Sequence, residues 1–212
     1  MNPAEKTNGN RAERKKELTR QRTISVAMQL FREQGVEATT MEQIAREVDI
    51  AKGTLYNYFP VKEAIISEYI QQSFRETGAD RIKQMEKLPD TRSRMVFLLS
   101  TLMDGVQQQK EIFERFLVYQ IQNMISVHRD AGIKSGLSDL ARELILLGQR
   151  DKEIRSDLPF DILAALFEFV FVEVAQEFYM NPAEFDAGET IGYCVDLFLN
   201  GAKSEPKKKK KE

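Results

Sequence analysis

The residues best equipped for chemistry lie close together. Lys52, Gly53, Thr54, Tyr56, Asn57 and Tyr58 share one short stretch, with Thr40 shortly before it and Lys62 shortly after. Ammonium, hydroxyl and phenol groups donate hydrogen bonds to phosphate oxygens, and a carboxamide matches the donor and acceptor on an adenine edge. A glycine in such a set permits close approach to a groove. The set suits a polyanion. The rest of the inventory offers little else. There is one histidine, His128, and one cysteine, Cys194. That leaves too little for a metal site of the Cys/His kind or for a histidine-based triad. No glycine-rich phosphate loop is present. An enzyme is not expected, and neither a metal nor a cofactor is implied. His128 stands beside Arg129 and Asp130 at a helix junction and reads as an exposed loop residue.

The elements that must position these residues follow from periodicity. Ile24, Ala27, Met28 and Phe31 recur at i, i+3, i+4, i+7. They predict a helix over about 18–34, stopped by Gly35. Thr39-x-x-Glu42 and Thr40-x-x-Gln43 both fit a capping box. They open a short helix with Ile44, Ala45 and Val48 turned inward. A tight turn at Asp49-Ile50 leads to a third helix, about Lys52 to Tyr58, anchored by Leu55. Pro60 ends it by restricting the residue before it. Two short helices joined by a tight turn form a helix-turn-helix. The start of the helix after Thr40 also offers free N–H groups and a positive dipole end to a phosphate.

The remaining pattern is helical throughout. Helices are predicted over 62–85, 92–108, 110–126, 130–148, 160–179 and 185–201, with breaks at Leu88-Pro89-Asp90, Gly132, 150–159 and Asn181-Pro182. The fold class is therefore all-α, about nine helices, with a three-helix head and a helical body. Domain boundaries are expected at 1–17 (a disordered basic arm, though Ala12–Glu17 could extend the first helix), 18–62 (the head), 63–202 (the body) and 203–212 (a lysine-rich tail).

Of the 212 residues, 42% are hydrophobic and the net charge is −2. The charge is uneven. Residues 1–62 carry +3, residues 63–202 carry −9 and residues 203–212 carry +4. A basic head on an acidic body fits a chain that presents one end to a polyanion, although small modules also differ by chance. The Lys207–Lys211 run is either a solvated end or a source of non-specific attraction to DNA or anionic lipid. No signal-peptide pattern opens the chain, and no apolar run reaches the ~20 residues of a membrane helix. A cytoplasmic setting without membrane contact is expected.

The segment TISVAMQLFREQGVEATTMEQIAREVDIAKGTLYNYFPVKEAIISEYI makes the reading specific. It resembles the N-terminal domain of the TetR family of bacterial transcriptional regulators. Leu30, Phe31 and Gly35 match, then Thr39-Thr40, Ile44-Ala45, Gly53-Thr54-Leu55-Tyr56-x-Tyr58-Phe59 and Lys62-Glu63. The resemblance implies DNA-facing positions at Thr40, Lys52, Gly53, Thr54, Tyr56, Asn57, Tyr58 and Lys62. Tyr56 and Lys62 would contact phosphate, and Lys52 and Asn57 would read bases. Phe59 belongs to the core, and Tyr58 divides between core and DNA. Arg20 and Arg22 are either flanking contacts or solvated charges. One position departs from the pattern: Asp49 stands where the turn commonly has glycine. Asp tolerates the left-handed conformation, but its charge sits poorly beside DNA.

Past the head the resemblance is architectural. It implies a body that binds a small molecule and dimerises through its last two helices. Phe97, Met103, Phe113, Phe116, Tyr119, Gln120, Asn123, Phe167 and Phe171 are the candidate effector contacts, although aromatics and methionines at helical spacing usually form core. Phe160–Tyr179 is apolar on more than one face, so it is buried in the monomer or against a partner. With Phe185–Gly201 it would build a four-helix interface in a homodimer. The expected function is a sequence-specific, DNA-binding transcriptional regulator, a homodimeric repressor released from a near-palindromic operator by a small apolar effector. A helical protein with a vestigial head is the alternative.

Overall fold

A computed structural model describes residues 3–124 and 136–201. Among the described residues are nine helices and no strand. They are α1 (Pro3–Gln34), α2 (Met41–Val48), α3 (Lys52–Tyr58), α4 (Lys62–Glu86), α5 (Thr91–Gln108), α6 (Lys110–Met124), α7 (Gly136–Arg150), α8 (Phe160–Met180) and α9 (Ala187–Asn200). His128, Gly132 and the Lys207–Lys211 run lie outside the described residues. Helix α1 begins at Pro3 rather than near Leu18. Its first half has no apolar stripe, but Ala, Glu, Arg and Lys are good helix formers and propagate the helix without one.

The chain forms two compact units, Met1–Ser73 with Gln109–Ala131, and Phe74–Gln108 with Gly132–Glu212. In the first, α1 buries Ile24, Ala27, Met28 and Phe31, and α2 buries Met41, Ile44, Ala45 and Val48. Leu55, Phe59, Ile65 and Ile66 are each at most 2% exposed. Burying each such side chain contributes about 1.5–3 kcal/mol. Helix α6 belongs to this unit, with Ile112, Phe113 and Phe116 buried.

In the second unit α5 packs on α7, α8 and α9, α7 on α8, and α8 on α9. Its core includes Met95, Leu98, Leu99, Leu102, Leu144, Phe167, Phe171 and Val195. A buried arginine fixes one end. The Arg94 guanidinium donates to Met85 O at 3.1 Å, to Leu88 O at 3.1 Å and to Asp151 at 2.6 Å. It thereby adds a charged donor to Met85 O, in the last turn of α4, and supplies one to Leu88 O just beyond the helix, where the helix's own bonds run out. At the start of α7, a Cβ built on Gly136 would lie 2.1 Å from the Cβ of Phe74. Only glycine allows that approach. Among the described residues, no helix is long and apolar enough to cross a membrane.

Candidate nucleic-acid interface

The site starts at the end of α1. Gly35 takes φ +85° and its N–H closes on Phe31 O at 3.0 Å. The chain then crosses to α2 through residues 35–40, and this crossing is held on every side. Thr39 is fully buried, and its hydroxyl donates to Gly35 O at 2.8 Å while accepting from the Gln34 carboxamide at 3.0 Å. Gln34 and Gln43 exchange amide hydrogen bonds of 2.8 and 3.3 Å. The Val36 N–H donates to Glu111 on α6 at 3.0 Å. Arg115, one turn along α6, pairs with Glu37.

Thr40 ends this crossing as the N-cap of α2, with φ −104° and ψ 154°. Its Oγ1 accepts from Gln43 N at 3.1 Å. Of the capping box, only this arm forms, because the Gln43 side chain has turned to Gln34. The Thr40 hydroxyl proton is not used by the cap, and the residue is exposed. It can therefore donate to a phosphate oxygen.

Lys62 lies behind the crossing. Its Nζ donates to Val36 O at 2.6 Å and to Thr39 O at 2.9 Å. The residue is half-buried. Two of its three ammonium protons are thus engaged inside the head, leaving one to offer outward.

The α2–α3 turn pivots on Asp49, at φ +62° and ψ 51°. That is the left-handed region, visited by Asp more readily than by most side chains. Its N–H returns to Ala45 O and Arg46 O, closing α2. In α3 only Leu55 is buried; Lys52, Gly53, Thr54, Tyr56 and Asn57 are exposed. One inward anchor thus presents these five residues outward, while Tyr58 at the end of the helix is half-buried. A Cβ built on Gly53 would meet nothing within 4 Å. The protein's own packing therefore does not require glycine there, whereas close approach of an outside molecule would.

Two charged groups are less free than their sequence suggests. The Lys52 ammonium pairs with Glu42 on α2 and lies 5.8 Å from the Tyr56 ring centre. The hydrogen bond from Lys52 holds the Glu42 carboxyl below its ordinary pKa, and the same bond raises that of Lys52. Arg20 is not simply solvated. It pairs with Glu68 at 2.6 Å and lies over the Phe59 ring at 5.4 Å. Phe59 is core, as its 2% exposure shows. Tyr58 is half-buried and lines a surface cavity of about 470 Å³ with Glu13, Arg14, Lys16, Glu17 and Arg20.

The candidate effector residues fall in two units. Phe113, Phe116, Tyr119 and Gln120 lie on α6 of the first, where Phe113 and Phe116 pack edge to face with ring centres 6.2 Å apart. Phe97, Met103, Phe167 and Phe171 lie in the second. There Phe97 is half-buried, the other three are buried, and Phe167 meets Phe198 edge to face at 5.9 Å. The Asn123 side chain lies outside the described residues. On α8, Ile162, Leu166 and Phe169 stand out at half exposure, spaced i, i+4, i+7. Tyr193 and Leu197 do the same on α9 at i, i+4.

Residues 24–69 match the sequence profile of the bacterial regulatory proteins of the tetR family. The uncharacterized HTH-type transcriptional regulator YuxN of Bacillus subtilis is 28% identical over 88 residues, 42% of this chain but only 30% of its own length. The probable acrEF/envCD operon repressor of Escherichia coli K12 is 22% identical over 187 residues, 85% of each chain. The fold is that of the Thermus thermophilus FadR, a TetR-family transcriptional repressor crystallised with lauroyl-CoA. The TM-score is 0.75 at 23% identity, over 88% of this chain and 96% of that one. The head thus matches the DNA-binding domain of the tetR family of bacterial regulatory proteins, and the all-helical body shares its fold with a solved repressor of that family.

Proposed function

We propose that the chain is a homodimeric repressor whose α3 enters the major groove at each half of a near-palindromic operator, and that a small apolar effector releases it. The observation that carries this reading is the outward face of α3, where Lys52, Gly53, Thr54, Tyr56 and Asn57 are exposed around a single buried Leu55. Lys52 and Asn57 would read base edges, while Tyr56 and the Thr40 hydroxyl would hold phosphates. Thr54 assists, and Gly53 lets the backbone come close. Lys62 positions the crossing that carries Thr40 and so acts on the strand through Thr40. Tyr58 borders this surface.

Dimerisation is supported by the unpartnered apolar rows of α8 and α9. Ile162, Leu166, Phe169, Tyr193 and Leu197 are each at least half exposed and would supply the apolar contacts of a two-fold four-helix interface. The effector would bind in the second unit beside Phe97, Met103, Phe167 and Phe171, and the lauroyl-CoA of the Thermus thermophilus regulator supports a ligand with an apolar chain. To release DNA, the effector must bind two conformers of the protein with different affinity.

The test is a mobility-shift series over fragments of the DNA upstream of the chain's own gene. A fragment preferred over random DNA, with half-sites about one helical turn or a multiple apart, supports the reading. Equal affinity for every fragment overturns it.

A further inference from the structure

The inward face of α4 in the second unit carries Phe74, Gly78, Arg81 and Met85, spaced i, i+4, i+7, i+11. Phe74 is 6% exposed and Met85 is fully buried, so this face belongs to the interior. Arg81 is half-buried between them. Its Nε is buried without a hydrogen-bond acceptor among the described residues. Its one described interaction is with an aromatic face, the Phe74 ring at 5.4 Å. Other arginines of this unit differ: Arg92, Arg94, Arg142, Arg150 and Arg155 each pair with an aspartate. Burial lowers the pKa of Arg81, with no described carboxylate opposing the shift. Removing a cation from water without a counter-charge is costly, and a fold that retains one leaves a place for an anion. There is also room. A Cβ on half-buried Gly78, one turn from Arg81 on the same face, would meet nothing within 4 Å.

We infer that Arg81 binds the anionic oxygen headgroup, carboxylate or phosphate, of an amphipathic effector whose apolar chain enters the second unit. The inference rests on the effector reading above and adds the ligand's charge to it. Phe74 holds the guanidinium plane, the space beside Gly78 admits the headgroup, and the planar fork of Arg81 matches two anionic oxygens at once.

Calorimetric titration of the full chain with laurate, lauroyl-CoA and uncharged 1-dodecanol tests this. The wild type should bind at least one of the anions about tenfold or more tightly than dodecanol, as expected for a charged hydrogen-bonded pair. Arg81→Met should remove that advantage and leave dodecanol binding unchanged, and Arg81→Lys should restore part of it. Dependence for laurate assigns a carboxylate; dependence for lauroyl-CoA alone assigns a phosphate. If Arg81→Met fails to fold, Arg81→Gln serves in its place. Anion binding unaffected by the substitution overturns the inference alone, as does an equal loss for dodecanol. No binding of any of the three to the wild type overturns the effector reading and the inference with it.

Discussion

The ammonium of Lys62 donates to the carbonyl oxygen of Val36 at 2.6 Å, across 26 residues of sequence. Together with the bond to Thr39 O it makes Lys62 a support for the chain crossing that ends at Thr40. Lys62→Met keeps the stem and removes the charge. Losing charged donors from two partly buried carbonyls should cost about 2 kcal/mol and lower Tm by roughly 5 °C. DNA binding should weaken for all sequences, with the salt dependence unchanged. A lysine acting chiefly on phosphate would instead flatten the slope of log affinity against log salt by about 1. Anisotropy titrations at several salt concentrations separate the two roles.

The Lys52–Glu42 pair implies a second outcome. Lys52, proposed to read a base, is engaged by an acid on the preceding helix. Glu42→Gln removes that negative charge from the DNA-facing surface and releases Lys52. Affinity should rise several-fold, while thermal stability hardly moves, because exposed ion pairs add little. The pH dependence follows from the sign of the shift. The Glu42 pKa is depressed in the folded state. What the pair contributes is therefore fully present above the ordinary carboxylate range and is lost as pH falls through the depressed value. The advantage of Glu42→Gln should thus be constant across about pH 6–8. Lower affinity in the variant would mean that Glu42 aims Lys52 at DNA rather than withholding it.

Arg94 governs stability in the second unit. It is 3% exposed and bonds Met85 O, Leu88 O and Asp151. Arg94→Met removes the charged donor from Met85 O, Leu88 O and Asp151, leaving Asp151 with Arg150 and Met85 O with the Leu88 N–H. We expect a loss of about 3 kcal/mol, hence roughly 5–10 °C in Tm. A thermal melt within 2 °C of the wild type would contradict this account of the α4–α5 corner.

What the sequence revealed, it revealed where the determinants are local. Gly35 at φ +85°, Thr40 as N-cap, Asp49 at φ +62° and the stop near Pro60 each depend on a residue and its near neighbours. The inward set Ile44, Ala45, Val48 and Leu55 follows from helical period, and each of the four is buried. The start of α1 was not legible, because a polar helix carries no apolar period to count. Contacts between distant positions were equally hidden. Nothing in the composition places Glu111 on Val36 N, Lys62 on Val36 O or Lys52 on Glu42. Lys62 and Lys52 looked like free cations because their partners lie on other elements. Arg81 escaped notice for the converse reason: what marks it is the lack of a counter-charge among the described residues, which only packing exposes.

The crossing at residues 35–40 is held by Glu111, Lys62, Thr39 and Gln34 before any DNA is present. A surface already built demands little ordering entropy when it docks. Operator binding should therefore show the heat-capacity change of the area it buries, without the larger increment of a segment that folds on contact.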